Sequence, residues 1–368
     1  MSPADEASPH SPTGAIGVVG TGPTACALAC HLSGLGHEVH LLVHHPRRSE
    51  WIARTRGAFV ATGAMEGTYR LAGYGDDAAS FAAHVETIFF ATVVTDYPLV
   101  TRLLAPHLRA HHRLVLFSSK LAGSVHVTRL LRTLGAPALP VLETDALFAC
   151  RIRDDDTLFV LGTKRWTLFS GPTRSETTRH AAWFQRFFPG LDPAADVLQR
   201  GPTDFGAFSH VTIMVANMNR ISRGERFLFY YEALTEQTIV LLEEVEREMR
   251  ALAAAYGTTL IPMATLLDRY YGCEPVNLLT AMRTVPTYRH AVAPTALSHR
   301  FLREDIACTV GLVQALARVA RVPTPTIDAM VHLANVLLGE DLRAGGRDLA
   351  ALGWDGLGRD EIVRAMRA

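Results

Sequence analysis

Ala15-Ile16-Gly17-Val18-Val19-Gly20-Thr21-Gly22-Pro23-Thr24-Ala25 is the stretch that decides the fold. A short β-prone apolar run ends in Gly20-x-Gly22-x-x-Ala25, the G-x-G-x-x-G/A pattern of a dinucleotide-binding turn. The first glycine permits the turn and the second admits a pyrophosphate close to the backbone. The small third residue lets helix and strand pack closely, and helix amides then hold the phosphates. Residues 26–35 have helical composition, Gly36 stops them, and residues 39–43 form a second apolar strand. The reading is therefore strand, glycine turn, helix, strand.

Working outward, residues 87–91, 113–118 and 139–142 are further β-like runs, with a helix predicted over 96–107. Strands alternating with helices imply a parallel sheet covered on both faces. Residues 147–153, 157–162 and 166–170 read as short strands, with Asp154-Asp155-Asp156 as a hairpin loop, followed by a helix over 175–188. From Gly201 the pattern is helical: a long amphipathic helix over 235–256 stopped by Gly257, then helices over 303–321 and 325–339. The expected fold class is α/β plus all-α. Residues 1–14 are a flexible tail, 15–200 a Rossmann-type doubly wound domain, and 201–368 a helical substrate and catalytic domain.

Composition narrows the function classes. The 368 residues carry 36 Lys plus Arg against 36 Asp plus Glu, so a nucleic-acid-coating protein is disfavoured. Only two of the 36 basic residues, Lys120 and Lys164, are lysines. No run of 18 apolar residues suggests a membrane span, and the first fourteen residues lack the pattern of a secretory signal. Five scattered cysteines without a CxxC pair suit free thiols in a reducing cytoplasm. Sixteen histidines include no HExxH or similar spacing, so no metal is expected. The Glu243-Glu244…Arg247-Glu248 stretch reads as a solvated helix face. The apolar helical half could form a homodimer, although no motif demands one.

The second strand ends in Val43-His44-His45-Pro46-Arg47-Arg48, without the acid that usually meets a ribose 2′-hydroxyl. Arginines there can pair with a 2′-phosphate, which favours NADPH over NADH. The candidate cofactor set is Gly20, Gly22, Pro23, Thr24, Ala25, His44, Arg47, Arg48 and Thr92.

A second group of residues lies past position 200: His210, Asn217, Arg220-Ile221, and Phe227-Leu228-Phe229-Tyr230-Tyr231-Glu232-Ala233-Leu234-Thr235. A third is His299-Arg300-Phe301-Leu302-Arg303-Glu304-Asp305, followed by Val322-Pro323-Thr324-Pro325-Thr326-Ile327-Asp328. With Glu143-Thr144-Asp145 and Ala149-Cys150-Arg151-Ile152, this arrangement resembles the opine dehydrogenases, the octopine and nopaline dehydrogenase family, from Ile16 to about Leu352. The resemblance implies a Rossmann domain followed by a helical domain. It also implies reductive condensation of an α-keto acid with an amine or amino acid, through an imine. By resemblance, His210 is the catalytic histidine, Asp305 its carboxylate partner, and Arg300 the holder of the keto-acid carboxylate.

The roles suit the residue types. A protonated histidine can deliver a proton, an aspartate fixes its tautomer, and an arginine fork grips a carboxylate. Asn217 and Arg220 are further substrate-binding candidates, Arg220 as a second anion site or equally as a structural ion-pair partner. Val211 stands where the family has Pro after the histidine, and Asn219 where Gly is common before the arginine. Two other readings remain: a 2-oxo acid reductase of the ketopantoate reductase type, indifferent to amines, and a non-catalytic NADP(H)-binding sensor.

Overall fold

A computed structural model describes residues 14–45, 49–273 and 276–368. The flexible-tail reading of residues 1–13 and the cofactor roles of Arg47 and Arg48 therefore fall outside the described residues.

The strands are β1 (Ile16–Val19), β2 (Val39–Leu42), β3 (Ala58–Gly63), β4 (Gly67–Arg70), β5 (Gly73–Gly75), β6 (Thr87–Phe90), β7 (Arg113–Phe117), β8 (Val141–Thr144), β9 (Phe148–Ile152), β10 (Leu158–Thr163), β11 (Leu168–Ser170) and β12 (Asp192–Pro193). Eight form one sheet in the order β12-β11-β8-β7-β6-β1-β2-β5. Its pairs are parallel except β8 with β11. The chain runs from β1 through helix Pro23–Gly34 to β2 on one side, and later places β6 on the other. The order thus reverses at β1, and ligands of open α/β sheets bind at the carboxyl ends of strands at such a reversal.

Side chains alternate between two apolar layers, as the period of two along a strand requires. Val18, Phe89, Val115 and Leu142 face one layer, and Val19, Phe90, Leu116 and Val141 face the other. Both layers are apolar because helices cover both faces.

The remaining strands make a second sheet, β4-β3-β10-β9, packed over helix Pro23–Gly34. The Asp154-Asp155-Asp156 turn does join an antiparallel pair, β9 and β10, but that hairpin pairs with β3 rather than with the main sheet. Residues 67–75 escaped sequence reading because β4 and β5 are short, glycine-containing and largely exposed, so they carry no apolar alternation.

Beyond β12 the elements are helical, including Phe205–Ala216, Glu236–Ala255, Arg300–Asp305, Gly311–Ala320 and Pro325–Leu338. The Thr235 side chain caps the long helix by accepting from the Thr238 amide, and Gly257 (φ +68°) ends it. Glu248 departs from its expected solvated role. It is fully buried and accepts from the Thr326 and Ile327 amides (2.7 and 3.0 Å), capping helix Pro325–Leu338, while Glu244 and Arg247 do form the exposed pair. The helix predicted over 303–321 begins earlier, at Arg300, and is interrupted by a π-helical turn, Ile306–Val310. Among the described residues no helix is long and apolar enough to cross a membrane.

Candidate active site

The glycine turn opens a cleft of about 620 Å³ at the carboxyl ends of β1, β2, β6 and β7. Thr21, Gly22, Pro23 and Thr24 line it from the first turn, His44 and His45 from the end of β2, and Thr92 and Asp96 from beyond β6. Ser118 enters after β7, and Arg300 and Glu304 close it from the helical half. The volume lies in the range of small-molecule and cofactor sites.

The two glycines differ in what they permit. Gly20 has φ +128°, and a Cβ there would stand 2.7 Å from the Ala91 carbonyl oxygen, so strand β6 requires glycine at this point. Gly22 has an ordinary φ of −72°, and a Cβ there would meet nothing within 4 Å. Its hydrogen keeps space open before helix Pro23–Gly34, whose start no side chain caps. Pro23 at the first helical position lacks an N–H, which leaves the amides behind it to face an anion. A nucleotide pyrophosphate fits this arrangement. Ala25 is fully buried behind the turn.

His44 lines the cleft from the end of β2. An acid does reach this end of β2, but from a distance in sequence: Asp96 Oδ2 lies 3.3 Å from His44 Nε2.

A second centre is built where the halves meet. His210, on helix Phe205–Ala216, has its Nδ1 2.8 Å from Asp305 Oδ2 and its Nε2 2.8 Å from the Tyr230 hydroxyl. Phe301 stacks on the imidazole at 3.7 Å and 12°, and the next residue back, Arg300, reaches the cleft. The other Asp305 oxygen lies 2.6 Å from Lys120 Nζ, which also touches Asp204 Oδ2 at 2.7 Å. Burial opposes charge on both Asp305 and Lys120. For Asp305, the Lys120 ammonium and the His210 contact outweigh burial and hold the carboxyl below its ordinary range. For Lys120, Asp204, Asp305 and Glu304 outweigh it and hold the ammonium well above its own. Burial raises the Tyr230 phenol, keeping it protonated.

Arg300 is largely exposed and pairs with Glu304 at 3.3 Å; Glu304 also accepts from the Val94 amide at 2.8 Å, tying the helical half to the loop after β6. Its guanidinium is therefore within the cleft and open to solvent. Arg220 takes the structural ion-pair role that the sequence left open, and Asn217 is likewise engaged by backbone. Arg220 donates to Glu225 (2.8 and 3.0 Å) and to the Glu232 carbonyl (3.0 Å), with its guanidinium 3.9 Å from the Phe227 ring centre. Asn217 donates to the Ile213 and Ala233 carbonyls (3.0 and 3.1 Å). These contacts bind the 217–235 segment together and engage both side chains within it.

Sequence reading missed Lys120, Asp204, Tyr230 and Asp96. Tyr230 stood within the quoted 227–235 run, and the scarcity of lysine marked Lys120. Nothing local marked Asp96 or Asp204.

Residues 193–338 match the family described as NAD/NADP octopine/nopaline dehydrogenase, alpha-helical domain. An opine dehydrogenase of Arthrobacter sp. (strain 1C) is 26% identical over 342 residues, covering 92% of this chain and 95% of the relative. The fold is that of an octopine dehydrogenase solved with NADH and L-arginine, with a TM-score of 0.74 at 19% identity over 97% of this chain and 99% of that one. A yersinopine dehydrogenase solved with bound NADP+ superposes with a TM-score of 0.69 at 15% identity, over 96% and 98%.

Proposed function

From the premise that this chain belongs to the octopine/nopaline dehydrogenase family, we propose that it catalyses the reductive condensation of an α-keto acid with an amine or amino acid, drawing on NADPH in preference to NADH. The observation that carries the reading is the His210–Asp305 pair, joined at 2.8 Å and one residue-stack away from a cleft-lining arginine.

In this reading the nucleotide lies along the 20–25 turn, with His44 and Thr92 beside its ribose, and supplies the hydride when bound. Arg300 grips the keto-acid carboxylate through two parallel hydrogen bonds. The amine and keto acid lose water to form an imine, and His210 supplies the proton that this carbon–nitrogen bond needs as it is reduced. Asp305 holds the imidazole in one tautomer and stabilises its charged form. The Tyr230 hydroxyl occupies Nε2 of His210, so substrate entry displaces it or passes the proton through it. Residues 15–200 serve as the nucleotide domain and 201–368 as the substrate domain, with the chemistry at their joint. The preference for NADPH rests on Arg47 and Arg48 in the sequence that follows β2.

The test is oxidation of NADPH and NADH against a matrix of keto acids and amines, with products read by mass spectrometry. The expected product has the summed mass of keto acid and amine, less water, plus two hydrogens. A hydroxy acid formed at a rate independent of amine would replace this reading with that of a 2-oxo acid reductase. Nucleotide binding with no turnover across the matrix would replace it with a sensor.

A further inference from the structure

Two lysines in a chain with 34 arginines demand an explanation, and both are buried against aspartates at the joint of the two halves. Lys164 pairs with Asp145 and lies under the Tyr270 ring. Lys120 is the more constrained. Its ammonium lies between two carboxylates at 2.6 and 2.7 Å, a space suited to a compact point charge with three donors rather than to a planar guanidinium.

The loop that delivers Lys120 is shaped for the task. Ser118, Lys120 and Ala122 have φ of +76°, +60° and +57°, three of the six non-glycine residues with positive φ among the described residues. Such a conformation persists where surrounding structure holds it, and it collects at functional sites. Here two buried arginines hold it: Arg200 donates to the Lys120 carbonyl, and Arg347 donates to the carbonyls of Ser119 (3.0 Å) and Leu121. Arg200 is itself paired with the buried Glu143 at 3.2 Å. The loop belongs to the sheet half, following β7, whereas both carboxylates belong to the helical half.

We propose that Lys120 is a positioning residue for the acid–base pair: it fixes the rotation of the Asp305 carboxylate and sets the pH range over which the pair turns substrate over. This rests on the reading of His210 and Asp305 as that pair. Asp305 has one oxygen on each partner, so Lys120 competes with the imidazole for its charge. Without the Lys120 ammonium the whole carboxylate charge would act on the imidazole. The other groups around the centre are accounted for. Tyr230 meets the imidazole on its far nitrogen, and His299 and Arg300 are nearby on the 299–305 segment. Glu304 and Asp204 face Lys120, and Lys164 and Arg200 act on Asp204.

The experiment uses the full chain carrying Lys120→Met, and separately Lys120→Met with Asp204→Asn, which removes one charge of each sign. Turnover is measured in the reductive direction across pH with NADPH and the best keto acid and amine. Proton delivery fails as pH rises, so loss of the Lys120 charge moves the alkaline limb upward by roughly one to two pH units, for a unit charge on the order of 6 Å away at an effective dielectric near 20. kcat falls by about tenfold or more, while KM for NADPH stays within about twofold, since Lys120 is outside the cleft lining. The His210 ring signals in NMR, identified by their loss in His210→Gln, move to higher pH in the same sense. If Lys120→Met fails to fold, the double variant decides, with a smaller upward displacement. A folded variant whose limb and ring signals coincide with those of the parent overturns the proposal. Absence of turnover for every keto acid and amine would instead overturn the functional reading, and the ring signals would still decide the part played by Lys120.

Discussion

Replacing each glycine of the 20–25 turn by alanine should separate folding from binding. At Gly22, φ −72° and ψ 167° suit alanine, and the added methyl meets nothing within 4 Å. The fold should lose nothing, and restriction of the unfolded chain adds about 0.4–1 kcal/mol of stability. The methyl does, however, fill the space before the helix where a pyrophosphate would sit. Losing one or two charge-assisted hydrogen bonds costs about 3 kcal/mol, or about a hundredfold in Kd. At Gly20 the order reverses. The backbone is in a region alanine avoids, which costs about 1–3 kcal/mol. A methyl 2.7 Å from the Ala91 oxygen adds an overpacking cost of about 1–3 kcal/mol. Together these lower Tm by roughly 10 °C. Calorimetric titration with NADPH and thermal unfolding of both variants give the two quantities. Unchanged NADPH affinity in a folded Gly22→Ala variant would refute the placement of the phosphates on this turn.

Three further outcomes are expected. Asp305→Asn should lower kcat by about 10²–10⁴-fold while NADPH affinity, measured by titration, stays near the parent value; retention of full turnover would remove Asp305 from the acid–base pair. Arg300→Met should raise the keto-acid KM by about tenfold or more, whereas Arg220→Met should leave it within about twofold, because Arg220 is committed to Glu225 and Glu232; the reverse ranking would restore Arg220 as the substrate anion site. The third concerns acid stability. Against the effect of burial, Lys120 and its neighbours hold the carboxyls of Asp204 and Asp305 below their ordinary range. A depressed folded-state value stabilises the protein above the unfolded value near ~4 and loses that contribution as pH falls through the folded value. Tm should therefore be nearly flat from about pH 7 to 5 and fall below about pH 4, more steeply than in Lys120→Met; identical acid limbs would contradict the buried bridge.

The first strand, its glycine turn and the helix after it were legible because local pattern suffices: a buried run, two glycines and a small residue specify them. The pairing of His210 with Asp305 was also legible, through the resemblance. The Lys120 bridge between Asp204 and Asp305 was not. Lys120, Asp204 and Asp305 come from three separate elements far apart in the sequence. Residue types do not report which distant side chains meet. Arg220, left open between two roles, and Glu248, read as solvated, were unsettled for one reason. An arginine in a motif and a glutamate on an amphipathic helix look alike whether they face a ligand, a solvent or a helix end, and tertiary contacts made the choice.

The π-helical turn at Ile306–Val310 begins at the residue after Asp305. Such a turn accommodates one residue more than an α-helix of the same length, and one residue is about 100° of rotation. The turn therefore works as a phase setting between the apolar helix Gly311–Ala320, which is fixed in the core, and the residues before it. Deleting one residue within 306–310 would keep a continuous, buried, apolar helix. It would also turn Arg300, Glu304 and Asp305 together through about a quarter of a revolution, away from the cleft and from Lys120. A chain so altered would keep its composition and its core while losing the alignment of three polar side chains at once. Insertion and deletion, rather than substitution, is thus the mutational route by which this architecture could most readily exchange one site for another.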